Sequence, residues 1–280
     1  MEVKIAEVIG FCFGVERAIE IALKAIKEGG EVYTIGPLIH NKEVIKELEK
    51  KGIKIANSIK EIKGRKIVIR AHGVPKAFYE EAKKLEKKLY DGTCPYVKLV
   101  QNLAKKLFKE GYEVIIIGKK EHPEIKGVMG YIENKGIVIS SPDEVKKLNF
   151  KNKKIGIVVQ TTFREDLFKK IVNKILNKSF ETRIFNTRCP DTRLRQEKAL
   201  ELAKESDLMI IVGGRDSSNT KRLFEISKKY SKFAYHIERP EEIKKEWFKN
   251  VKKVGIVGGS STPREIVLKV KEIIENIDKG

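Results

Sequence analysis

Three cysteines and three glycines frame this chain. Cys12 to Gly36, Cys94 to Gly118 and Cys189 to Gly213 are each 24 residues apart. Each cysteine closes an apolar run and opens a helix-like stretch. After Cys12, the residues Val15, Ala18, Ile19, Ala22 and Ile26 recur at helical spacing. Cys94 and Cys189 are followed by Pro95 and Pro190, a residue favoured at the first helical position. Each glycine closes a buried-type strand: VYTIG, VIIIG and MIIVG. Four residues further on stand His40, His122 and Ser217, and two beyond those Lys42, Glu124 and Asn219. A second strand follows (IKIA, IVIS, YHIE), then a short acidic helix signal (SIKEI, SPDEVKKL, RPEEIKKEW). A third strand ends on a polar tip: KIVIRAHG at His72, KIGIVVQTT at Thr161, KVGIVGGSSTP at Ser261.

One such coincidence of spacing is cheap, but two with matching polar positions downstream are not. The chain therefore reads as three copies of one unit of about 80–95 residues. Strands alternating with helices imply a parallel sheet covered by helices. The expected fold is α/β: three pseudo-threefold-related αβ units, each with a small, mainly parallel sheet, around a central metal-cluster site. The edges fall at 13–93, 94–188 and 189–280, with a strand in 1–12 completing the third unit. In open α/β sheets ligands bind beyond the carboxyl ends of the strands. Every residue singled out above lies at such an end, and the symmetry would carry the three cysteines to one axis.

Three is an odd number and too few for a disulfide framework. A buried, inert cysteine is the ordinary alternative for each. A cysteine at a helix N-terminus, however, meets unpaired N–H groups and the positive end of the macrodipole. Both favour the thiolate, the metal-binding form. Three thiolates leave two options. Zinc would need a fourth ligand, which a histidine could supply. An iron–sulfur cluster would keep one iron open to substrate. No CxxC pair of the common zinc knuckles is present.

His40, His72, Ser217, Ser218, Asn219 and Ser261 offer many donors on loops leading into helices, a set that suits a phosphate or diphosphate. Taken singly, each is as well explained as a helix cap or a solvated loop residue. Glu124, beside that set, is a candidate general acid, with Thr161 as its relay or anchor; a first-turn acid on a helix is the plain alternative. His236, Tyr112 and Trp247 read as packing residues.

Lys and Arg number 59 against 39 Asp and Glu, a net charge of +20. Such a field attracts anions, including phosphorylated metabolites and acidic proteins. The lysines are spread over many helices and no aromatic-interleaved basic motif is present, which argues against nucleic acid. No run approaches the roughly 18 apolar residues of a membrane span. The first residues show no signal-peptide layout, so the cytoplasm is the expected location.

In order along the chain stand GFCFGV at 10–15, HN at 40–41, AHG at 71–73, TCP at 93–95, HPE at 122–124, QTT at 160–162, C..T..RQ at 189–196, SSN at 217–219 and SSTP at 260–263. This series resembles the 4-hydroxy-3-methylbut-2-enyl diphosphate reductase family of the non-mevalonate isoprenoid pathway. The resemblance implies a 4Fe–4S cluster on Cys12, Cys94 and Cys189 with one open iron. It implies reductive removal of an allylic hydroxyl, giving isopentenyl and dimethylallyl diphosphate. His40, His72, His122, Thr161, Ser217, Ser218, Asn219 and Ser261 would hold substrate; Glu124, Thr161 and His122 would be catalytic. An acidic electron carrier such as ferredoxin or flavodoxin would suit the basic surface. Two positions depart from the expected pattern: Phe13, between Cys12 and Gly14, and Arg70, before AHG, stand where small residues are usual. The rival reading is a zinc-dependent hydrolase or lyase of a phosphorylated substrate.

Overall fold

A computed structural model of the chain describes residues 1–150 and 153–277. In chain order its elements are β1 (Glu2–Ile5), α1 (Phe13–Lys27), β2 (Val32–Ile35), α2 (Lys42–Lys50), β3 (Ile53–Ala56), β4 (Lys66–Ile69), α3 (Lys76–Lys84) and β5 (Lys88–Asp91). They continue with α4 (Pro95–Lys109), β6 (Glu113–Ile117), α5 (Pro123–Met129), β7 (Ile137–Ile139), β8 (Lys154–Val159), α6 (Glu165–Leu176) and β9 (Glu181–Ile184). The last are α7 (Pro190–Glu205), β10 (Leu208–Val212), α8 (Ser218–Tyr230), β11 (Phe233–Ile237), β12 (Lys253–Gly258) and α9 (Arg264–Ile277). Short 3-10 turns occupy Ile59–Glu61, Glu144–Lys147 and Pro240–Glu242, inside the three acidic segments.

The strands form three four-stranded sheets, ordered β3-β2-β4-β5, β7-β6-β8-β9 and β1-β12-β10-β11. Every pairing is parallel. Read from its other edge, the third sheet repeats the order of the first two, with β1 in the place of β5 and β9. The expected α/β architecture of repeated, parallel units is thus present.

The repetition extends to single hydrogen bonds. Gly36, Gly118 and Gly213 each donate to the last residue of the neighbouring strand or its equivalent, Ala56, Ile139 and Ile237. Cys94, Cys189 and Cys12 each donate to the turn after the third strand, at Ala71, Thr161 and Ser260, all at 2.9 Å.

The chain packs as two compact units. One comprises residues 1–16, 39–48 and 190–280, and the other 17–38 and 49–189. In the first, β10 and β12 send alternate residues to opposite faces. Leu208, Ile210, Val212 and Ile256 pack with Val267, Val270 and Ile274 of α9, while Met209, Ile211 and Val257 pack with Ala199, Leu202 and Ala203 of α7. In the second, β6 and β8 do the same. Ile115, Ile117, Ile155 and Ile157 meet Phe168, Ile171 and Ile175 of α6; Val114, Ile116 and Val158 meet Val100, Ala104 and Leu107 of α4. Coverage on both faces is why these strands read as continuous apolar runs. Among the described residues, no helix is long and apolar enough to cross a membrane.

Candidate active site

Within the unit built on residues 1–16, 39–48 and 190–280, the Cys12 loop is held from two sides. The Cys12 N–H donates to Ser260 at 2.9 Å, and its carbonyl accepts from Val15 and Glu16, starting α1. Arg195 is 3% exposed; its guanidinium donates to the carbonyls of Gly10 at 3.0 Å and of Val8 and Gly258 at 3.4 Å, and is braced by Asp191 at 2.8 Å. Phe13, the unexpected bulky neighbour of Cys12, is 63% exposed, so its ring lies in solvent.

The His40 loop is fixed by Asn41. Its Oδ1 accepts from the N–H groups of Glu43 and Val44, capping α2, and its Nδ2 donates to the Ser261 carbonyl at 2.9 Å. Ser261 Oγ donates back to the His40 carbonyl at 3.1 Å. A Cβ on Gly214 would stand 2.3 Å from that same carbonyl, so only glycine fits there. Ser217 caps α8, accepting from Thr220 N–H at 3.2 Å. Ser218 is half-buried on the first turn. Asn219 is 2% exposed, yet neither its Nδ2 nor its Oδ1 has a partner among the described residues. A buried amide left this way costs about 1–3 kcal/mol unless something polar meets it.

The other unit holds the acid. Glu124 is 1% exposed on the first turn of α5. Its Oε1 accepts from the Thr161 N–H at 2.8 Å and its Oε2 from Thr161 Oγ1 at 2.6 Å. Burial raises its pKa to about 7, against the lowering effect of the two Thr161 bonds. His122 caps α5 through Nδ1, accepting from Glu124 N–H at 3.2 Å. The His72 and His122 rings meet edge to face, centroids 5.5 Å apart.

Cys94 caps α4 ahead of Pro95. Burial pushes its thiol upward, the Tyr96 and Val97 N–H groups push it down, and Cys189 and Glu124 act on it as nearby negative groups. Cys94 and Cys189 are therefore electrostatic neighbours beside the acid. None of the three cysteines is in a disulfide and all are partly buried; thiol sulfur is the donor type that suits a soft metal or cluster.

The polar tips need a correction of register. The sequence aligned His72 with Thr161 and Ser261. The hydrogen bonds from the cysteines instead match Thr161 with Ala71 and Ser260, so His72 and Ser261 correspond to Thr162. Two adjacent threonines at the end of β8 hide the offset. Asn41 and Arg195 were legible only as motif letters. Asn41's cue was its place before a helical run; Arg195 gave no cue, because its partners are distant carbonyls. His236, Tyr112 and Trp247 are where packing residues belong. His236 Nε2 pairs with the Gly213 carbonyl, Tyr112 with Glu181, and Trp247 stacks on Tyr235.

The family model described as LytB protein matches residues 3–275. The chain belongs to the LytB family. A 4-hydroxy-3-methylbut-2-enyl diphosphate reductase of Dictyoglomus thermophilum is 47% identical over 98% of this chain and 96% of its own. The Aquifex aeolicus protein of the same name is 43% identical over 100% and 98%. A solved structure of (E)-4-hydroxy-3-methyl-but-2-enyl diphosphate reductase, the terminal enzyme of the non-mevalonate pathway, matches with TM-score 0.72 at 42% identity, covering 98% of this chain and 99% of that one. The Plasmodium falciparum E-1-hydroxy-2-methyl-but-2-enyl-4-diphosphate reductase matches with TM-score 0.93 at 31% identity, covering 98% and 88%. The resemblance carried by the nine motifs is borne out, and with it membership of a family of reductases.

Proposed function

We propose that this LytB-family chain converts 4-hydroxy-3-methylbut-2-enyl diphosphate into isopentenyl and dimethylallyl diphosphate. Two electrons and two protons enter, the allylic C–O bond breaks, and the hydroxyl leaves as water. The observation that carries the reading is Glu124: a carboxyl buried to 1% exposure, gripped by Thr161, with a pKa near neutrality. The reaction ends with a proton delivered to an allylic carbon, and a carboxyl of this kind is matched to that task.

Cys12, Cys94 and Cys189 would hold a 4Fe–4S cluster; three cysteines outside any disulfide, with no fourth in the sequence, suit a cluster with one open iron. When bound, that cluster supplies the electrons and a Lewis-acid site for the substrate hydroxyl. His40, His72, His122, Thr161, Ser217, Ser218, Asn219 and Ser261 bind the substrate, mainly through its diphosphate, and hold the allylic chain in a reactive orientation. Asn219 contributes an amide that no described residue satisfies. Thr161 fixes the Glu124 carboxyl and relays its proton, with His122 alongside. With the three αβ units at 13–93, 94–188 and 189–280 and the strand in 1–12 completing the third, each cysteine stands at a boundary between units. The working location is the cytoplasm, with neither nucleic acid nor membrane as partner. An acidic ferredoxin or flavodoxin supplies electrons to the basic surface.

The test is an anaerobic assay: dithionite-reduced protein, the hydroxylated C5 diphosphate, and detection of both isomeric products. The protein should be brown and carry about four irons per chain. A colourless protein with stoichiometric zinc and no product would establish the hydrolase reading instead.

A further inference from the structure

The repeat supplies an internal control for one residue the proposed chemistry does not use. The carbonyls of Arg70, Gln160 and Gly259 each accept the N–H three residues on, from Gly73, Phe163 and Thr262, all at 3.0 Å. These three residues therefore occupy one position, the first after the third strand of each repeat. In the second repeat Gln160 folds over Gly118, with Oε1 3.0 Å from where a Cβ would stand. It is 1% exposed and satisfied: Oε1 accepts from Lys119 N–H at 2.9 Å and Nε2 donates to Thr162 Oγ1 at 3.2 Å. In the third repeat the side chain is absent.

Arg70 makes the same fold over Gly36. Its Nη1 lies 2.8 Å from where a Cβ on Gly36 would stand, at a φ of +66° that also favours glycine. The chemistry at its end is nonetheless different. A guanidinium has only donors, and the residue after Gly36 is Pro37 in place of Lys119, so no N–H faces it. Among the described residues no hydrogen bond or ion pair reaches the Arg70 side chain, and its Nε is buried without a partner. Desolvation disfavours its charged form. A cation taken partly out of water with no carboxylate beside it is costly unless an anion completes it. Arg70 and His72 stand on one turn at the carboxyl ends of β2 and β4, where a parallel sheet receives ligands.

We propose that Arg70 is a further anion-binding residue, whose guanidinium fork engages a phosphoryl group of the ligand held by His72 and His122. The inference rests on the diphosphate reading of the site. An arginine pairs with phosphate bidentately, which neither glutamine nor lysine reproduces.

The test titrates inorganic diphosphate calorimetrically into cluster-loaded, anaerobic wild-type, Arg70→Gln and Arg70→Lys proteins. KM and kcat are measured in parallel with dithionite as reductant. Arg70→Gln, which installs the side chain of the second repeat, should weaken diphosphate binding about 10- to 100-fold and raise KM more than it lowers kcat. Arg70→Lys should recover part of the affinity, and it supplies the comparison should the glutamine variant fold poorly. Wild-type binding with both variants equally tight overturns the role of Arg70 alone. A wild-type protein that binds no diphosphate overturns the reading of the site as well.

Discussion

Replacing Glu124 by glutamine separates the acid from its scaffold. The amide is isosteric: its oxygen still accepts from the Thr161 N–H, and its NH2 can donate to Thr161 Oγ1 in place of the bond now made at 2.6 Å. Substrate affinity should stay within about threefold, because Thr161 keeps a partner for both its N–H and its hydroxyl. What is lost is a titratable proton, and a positioned general acid is worth about 10²- to 10⁴-fold in rate. The pH dependence gives a second, independent reading. The Glu124 pKa rises from an ordinary 4.5 to about 7 on folding. The folded state then binds more protons than the unfolded one between those values, so wild-type stability falls as pH rises from about 4.5 to 7 and levels off above. A shift of this size corresponds to about 3 kcal/mol. Glu124→Gln lacks that loss, so the stability of the variant relative to wild type should climb through this window. Single-turnover rates on the loaded enzyme and anaerobic thermal denaturation from pH 5 to 8 measure both effects. Near-normal turnover by the variant, or a stability difference flat with pH, would refute the assignment.

Wild-type kcat should fall about tenfold per pH unit above pH 7, as Glu124 loses its proton. Thr161→Val removes the hydroxyl that lowers the Glu124 pKa, so the alkaline limb of the kcat profile should move to higher pH while activity drops. Gly214→Ala drives a Cβ to 2.3 Å from the His40 carbonyl. Rigid backbone on both sides should cost about 1–3 kcal/mol in denaturant unfolding and raise KM through the displaced His40–Asn41 loop. Arg195→Met strips donors from Val8, Gly10 and Gly258 and leaves Asp191 unmatched. At least about 2 kcal/mol of stability should be lost, with lower iron content per chain after reconstitution, because the Cys12 loop is no longer held.

The fold was legible because its strands are covered on both faces. VIIIG and MIIVG announce buried parallel strands, and the constant interval from cysteine to glycine announces the repeat. The strand before Cys12 pairs with β12, as a cyclic use of one pattern requires. Side chains stood out in the sequence where the residue type is rare in the chain, as with the histidines and cysteines. They did not where the decisive partner is a peptide group. Arg195 looks like any basic residue of a helix until the carbonyls of Val8, Gly10 and Gly258 are seen converging on it. Asn41 is a helix cap by its position, and nothing local reveals its second bond, to Ser261.

The same limit explains why the period was read correctly and the register at Thr161 was not. A spacing argument counts residues between side chains, but the repeated object is a set of peptide hydrogen bonds: cysteine N–H to the turn after the third strand, glycine N–H to the end of its neighbour. Peptide groups are chemically identical along the chain, so the sequence carries their period and not their partners. Side chains at a shared backbone position are then free to diverge. At the second turn position the three repeats place Ala71, Thr161 and Ser260, and Thr161 holds the Glu124 carboxylate by two bonds. One step on they place His72, Thr162 and Ser261. The backbone fixes where a side chain emerges, and the residue type decides the task. A symmetric scaffold can therefore present an asymmetric set of donors and acids to one asymmetric ligand.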